Sequence, residues 1–158
     1  MRKMMLFFVL SLIFWGCNAP KELTSEGREK VFNTQKITGS KTEIKNKLLL
    51  FVNESFGEAK AVLQTNEDGL LTGVFNTRLK PFDPLETIMV HADMSFLIKY
   101  NDGEYKLKMV LKRIYTRGSS GENTMQETYW GNYEPEVLKK YDEFFDRLKK
   151  YLLSDNSF

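Results

Sequence analysis

The chain has 158 residues, 42% of them hydrophobic, which is one domain's worth of sequence with enough apolar side chains for one core. Its formal net charge of +2 belongs to the leader: without Arg2 and Lys3 the 23 basic residues fall to 21, matching the 21 acidic ones. That balance lacks the cationic surplus that drives nucleic-acid binding, and a single cysteine excludes an internal disulfide or a cysteine-rich metal site.

Residues 1–16 consist of a charged start, an apolar run from Met4 to Phe14, and Trp15-Gly16 before Cys17. The eleven apolar-run residues reach about 16 Å as a helix, roughly half of a bilayer's hydrocarbon core. The run suits a cleaved export signal better than a membrane span. Gly16-Cys17, followed at once by polar chain, resembles the lipobox of bacterial lipoproteins, with Phe14 and Trp15 standing where that pattern has leucine and a small residue. The resemblance implies that Cys17 carries lipid as the first mature residue. The protein would then be exported and held to a membrane of a bacterial cell envelope, the outer in preference to the inner. Several acyl chains on one cysteine make such an attachment lasting, since each buried methylene adds about 0.8 kcal/mol. From Cys17 to Lys30 the chain is polar, with Pro20, Thr24, Ser25 and Gly27 among mixed charges, and reads as a flexible tether.

Residues 31–153 form the expected domain and 154–158 a short tail. A strand is expected over 31–37. Ser40 and Glu43 have the spacing of a capping box, and Ile44, Leu48, Phe51, Val52 and Phe56 follow at helical period. Strands are expected over 58–65 and 70–79, joined at Asp68-Gly69, a dipeptide suited to tight hairpin turns. Two prolines in 80–84 forbid regular pairing there. The strongest alternation joins 86–100 to 104–115 through Asp102-Gly103, with Ile88 to Tyr100 and Tyr105 to Leu111 placing apolar residues on one face. Segment 116–133 reads as a long loop ending in aromatics. A last helix starts near Pro135, its apolar stripe running from Val137 to Leu152. The order β-α-β-β-β-β-α makes an α+β two-layer sandwich, an antiparallel sheet with two helices on one face. Phe96 and Phe145 are expected in the core between the layers.

Four stretches carry a wider likeness: "VFNTQKITGSK", "EIKNKLLLFVNESF", "AVLQTNEDGLLTGVF" and "MSFLIKYNDGEYKLKMVLKRIY". In order and spacing they resemble a family of bacterial lipoprotein domains of unknown function with a TATA-binding-protein-like fold. Where a helix of that family often carries a tryptophan, this one has Phe51. The resemblance implies fold and lipidation; it implies no activity, and the fold name implies no DNA binding.

The residues offer little chemistry. His91, the only histidine, lies two positions from Asp93 on the wetter strand face, and no His/Cys/Glu cluster has ligand spacing. Asp83, Glu86 and Asp93 have no spacing that demands a catalytic carboxylate pair. The Asp-Gly stretches lack the twelve-residue order of calcium loops, and "GSSG" lacks a phosphate-loop ending. No catalytic residue, metal or cofactor is expected. Two features suit a contact surface with an envelope protein or glycan. Tyr129, Trp130 and Tyr133 end a loop, and either grip a partner or fold back to cap the sheet. Lys106 and Lys108, with Lys99 and Lys112, make a basic stripe that either meets a partner or serves as a solvated face protecting an edge. A small apolar or glycan ligand between sheet and last helix is the alternative.

Overall fold

Alternation at a two-residue period obliges the stretch from Val90 to Gly118 to present one apolar and one polar side. The computed structural model, which describes residues 20–56, 62–81, 89–118 and 121–154, is built around it. In chain order the elements are α1 (Ser25–Arg28), β1 (Glu29–Val31), β2 (Gln35–Lys36), α2 (Lys41–Phe56), β3 (Val62–Glu67), β4 (Leu70–Leu79), β5 (Val90–Asn101), β6 (Glu104–Gly118), β7 (Gly121–Thr124), a 3₁₀ helix (Glu127–Tyr133) and α3 (Glu134–Leu153). The strands form one antiparallel sheet in the order β1-β6-β5-β4-β3, with β2 and β7 also pairing on the outer edge of β6. Gly103 closes the β5–β6 turn at φ 70°, a conformation that side chains with a Cβ rarely adopt.

The apolar side of the sheet is covered by α2 and α3. Val90, Ala92, Met94, Phe96 and Ile98 of β5 and Leu107, Met109 and Ile114 of β6 are all buried there. Phe144 of α3 occupies the centre, its ring between 5.4 and 6.0 Å from those of Phe51, Phe56, Phe75 and Phe96. Contacts of this kind add about 0.5–1.5 kcal/mol each beyond area burial. Phe96 is in the core as expected. Phe145 is only partly buried and stacks on Phe32 at 4.3 Å, one helical step away from the centre that Phe144 fills. The capping box forms: the Ser40 N–H donates to Glu43 Oε2 at 2.7 Å, and the Glu43 N–H returns to Ser40 Oγ at 3.4 Å.

Three expectations need correction. The opening strand divides into β1 and β2, because after Phe32 donates to the Leu107 carbonyl the chain leaves the ladder and rejoins it at Gln35. The tether does not extend to Lys30. Leu23 is buried, Thr24 caps α1 and donates its hydroxyl to the Glu134 carboxylate, and the Tyr141 hydroxyl donates to the Gly27 carbonyl at 3.1 Å. Gly131 donates its N–H to the Lys21 carbonyl at 2.8 Å, and a Cβ on Gly131 would lie 2.4 Å from the Lys21 and Glu22 oxygens. Only glycine permits that approach. Segment 116–133 is not a loop either: β6 runs to Gly118, β7 pairs back on it, and Trp130 and Tyr133 draw the 3₁₀ helix onto the core.

The described part of the expected 58–65 strand begins at Val62, and that of 86–100 at Met89. Cys17, Asp83 and Glu86 lie outside the described residues.

Candidate functional site

With both long helices on the apolar side, the opposite face of the sheet stays uncovered among the described residues. Cross-strand register decides what meets on it. The tight turn at Asp102-Gly103 sets Asn101 opposite Glu104, so Lys99 must stand directly opposite Lys106. Leu97 then faces Lys108, and Lys108 in turn faces Val31 of β1. These side chains line a shallow groove of about 290 Å³. Lys108 is neutralised by Glu29 at 2.7 Å. Lys99 and Lys106 have no ion pair among the described residues, and Val31 is 51% exposed beside them. Like charges placed opposite one another in a sheet are destabilising.

The far end of the same face is organised differently. The register of β6 against β5 jumps from Met94↔Leu111 to Asp93↔Arg113, leaving Lys112 in a bulge. The bulge turns Arg113 and Tyr115 onto the uncovered face, where they join Asn76, His91 and Asp93. Asn76 Nδ2 donates to Asp93 Oδ1 at 2.9 Å and to the Tyr115 hydroxyl at 2.7 Å. Arg113 Nε donates to Asp93 Oδ2 at 2.6 Å and the guanidinium lies 4.4 Å above the Tyr115 ring. Its hydrogen bond to Asp93 raises the Arg113 pKa further. Glu122 of β7 closes the network with Arg117 at 2.6 Å, and that bond lowers its pKa. His91 faces Asn76 Oδ1 at 3.2 Å rather than a carboxylate. Both oxygens of Asp93 already accept hydrogen bonds, so this cluster is an internally satisfied strut. Its sequence signal was the apolar spacing in β6, which steps by two to Leu111 and then by three to Ile114.

The residues expected to bind are therefore separated. Lys106 and Lys108 share the groove. Trp130 is buried and donates Nε1–H to the Met125 carbonyl at 3.0 Å, and Tyr133 is buried with it, so neither ring offers a surface. Tyr129 alone of the three is exposed, on the 3₁₀ helix that Arg28 holds through Glu127, and it does not line the groove. A second concavity, about 300 Å³, lies between β4 and α3 over Phe56, Phe75 and Phe144, with Lys140, Glu143 and Arg147 at its rim. Among the described residues no group of three His, Cys, Asp or Glu side chains could hold a metal ion, and no helix is long and apolar enough to cross a membrane.

Solved structures share this architecture, two of them as follows. A DUF4468 family protein from Bacteroides ovatus superposes with a TM-score of 0.60 at 10% identity, over 90% of this chain and 94% of its own. A TBP-like protein from Parabacteroides distasonis does so with a TM-score of 0.61 at 11% identity, over 90% and 99%. The fold is TBP-like. No protein-family model matches the sequence, and neither does any curated protein. At such identities the likeness of the TBP-like sandwich extends to fold and not to activity.

Proposed function

We propose that the protein is a lipid-anchored domain of a bacterial cell envelope that works by binding rather than catalysis. Its partner is an acidic, extended segment of another envelope protein, held along the uncovered face of the sheet. The carrying observation is the Lys99–Lys106 pair, without an ion pair among the described residues, beside exposed Val31 and half-buried Leu97. An acidic segment would relieve the repulsion while covering the apolar side chains, and electrostatic complementarity of this kind also sets orientation. Lipid attachment rests on the leader and Cys17.

A photo-crosslinker placed at Val31 in intact cells tests this reading. It should trap a partner through an acidic peptide, and Lys99→Glu with Lys106→Glu should abolish the product; a crosslinker at exposed Leu153 should trap nothing of the kind. A non-acidic peptide, or a yield indifferent to charge reversal, would overturn it. The aromatic floor of the α3 concavity favours a second reading, a small apolar or glycan ligand. That reading gains if the native protein carries a small molecule that Arg147→Ala loses while crosslinking at Val31 stays blank.

A further inference from the structure

The segment from Lys21 to Arg28 is held to the fold at several points. In the 3₁₀ helix, Gly131 is bonded to Lys21 and Glu127 to Arg28 at 3.0 Å; Thr24 is bonded to Glu134 at the start of α3, so the segment is riveted where these two helices meet. Three peptide links separate Cys17 from Pro20, and at 3.8 Å between successive Cα atoms they span at most about 11 Å. The sandwich is longer than that. Ten residue steps of β6 separate Glu104 at the turn end from Ile114, whose carbonyl accepts from Met125 just before the 3₁₀ helix; at about 3.3 Å per step this is about 33 Å. A lipid on Cys17 cannot let such a body hang freely.

We infer that the end of the sandwich carrying Lys21 and the 3₁₀ helix is seated on the lipid headgroups, with Tyr129 as its interfacial side chain. This rests on the lipid attachment at Cys17 proposed above. Tyr129 is 37% exposed, next to buried Trp130, and tyrosine is favoured where an apolar ring body meets wet headgroups. The leash length selects the bilayer as the occupant, because another partner at this end would have to fit within the same 11 Å or so. The arrangement also leaves the Lys99–Lys106 pair toward the Asp102-Gly103 turn, with Lys106 eight positions along β6 from Ile114.

The test uses the full acylated protein in vesicles of phosphatidylethanolamine and phosphatidylglycerol containing a headgroup spin-labelled lipid. Mass spectrometry of the mature N-terminus is read first. With Cys17 acylated, the amide signals of Lys21, Tyr129 and Asn132 should lose most of their intensity while those of Gly69 and Gly103 keep theirs. Inserting a flexible linker of about twenty Gly/Ser residues before Pro20, with an r.m.s. span of about 25 Å, should restore most of the lost intensity. Acylated protein with equal loss at both ends, or loss unaffected by the linker, overturns the docking and leaves the anchor standing. An unmodified Cys17 overturns the anchor and the docking with it.

Discussion

The two faces of the sheet are made by the same strands under the same alternation, and they differ in how completely the chain satisfies them. On the helix side, residues from distant elements converge until the β5 side chains from Val90 to Ile98 are at most 1% exposed. On the uncovered side, one end is an internally satisfied network around Asp93 and Arg113, and the other leaves two lysines facing each other over an apolar groove. A chain able to neutralise Lys108 with Glu29 has the means to neutralise Lys106 as well. A local rule broken without compensation among the described residues points to compensation from a partner.

The contrast is broken most directly on the buried side. Phe96→Ala should cost about 3–5 kcal/mol, because it opens a cavity beside the Phe144 ring and uncovers Gly73, whose Cβ position lies 2.5 Å from the Phe96 ring. Trp130→Ala belongs with it at about 3–5 kcal/mol, since its ring is buried rather than offered to a partner. Urea melts check both; shifts below about 1 kcal/mol in either variant would show that the side chain is not packed as described.

A smaller effect comes from the phenol of Tyr105, which is buried without a hydrogen-bond partner among the described residues and whose pKa burial pushes from 10.0 up to about 12. In the folded protein it keeps its proton where the unfolded chain has already released it. Stability should therefore fall as pH rises from about 10 to about 12, by an amount on the order of 2–3 kcal/mol. Tyr105→Phe should flatten that fall in alkaline melts, and at neutral pH should gain about 1 kcal/mol by removing an unsatisfied hydroxyl. A variant with the alkaline slope unchanged would assign it to other groups, Tyr141 first, whose pKa burial also raises.

The smallest change sharpens the comparison because its sign is reversed. Lys106→Glu converts a like-charge pair with Lys99 into an attractive one and should stabilise the free protein by about 0.2–1 kcal/mol. The same substitution should abolish capture at the groove. A loss of stability instead would mean that Lys106 is already neutralised within the fold.

Much of this was legible in the sequence. The Asp-Gly turns fixed the hairpins, strict alternation marked the buried face, and the Ser40–Glu43 spacing and Pro135 marked the two helix starts. The Lys99–Lys106 opposition follows from the Asp102-Gly103 turn by counting outward. The bulge at Lys112 left a trace in the three-residue step from Leu111 to Ile114, but a step of one residue in a long strand is easily absorbed by eye. The 3₁₀ helix was hidden because seven residues carry no sustained period. The fastening of residues 21–30 was hidden because its partners, Glu134, Tyr141 and Asp142, stand 110 to 114 positions away, and composition sees only neighbours.

That fastening also orders events in time. The residues made first cannot be completed until nearly the whole chain is present, since the acceptor for Thr24, the hydroxyl that caps the Gly27 carbonyl and the carboxylate that holds Lys30 all belong to α3. Contacts of such sequence separation raise contact order and slow folding, because the closure entropy must be met before the contact forms. The hairpins from Leu70 to Gly118 are local and can form early; the N-terminal segment waits. Closure of the segment from Lys21 to Lys30 is thus the last step of folding, set by the arrival of α3.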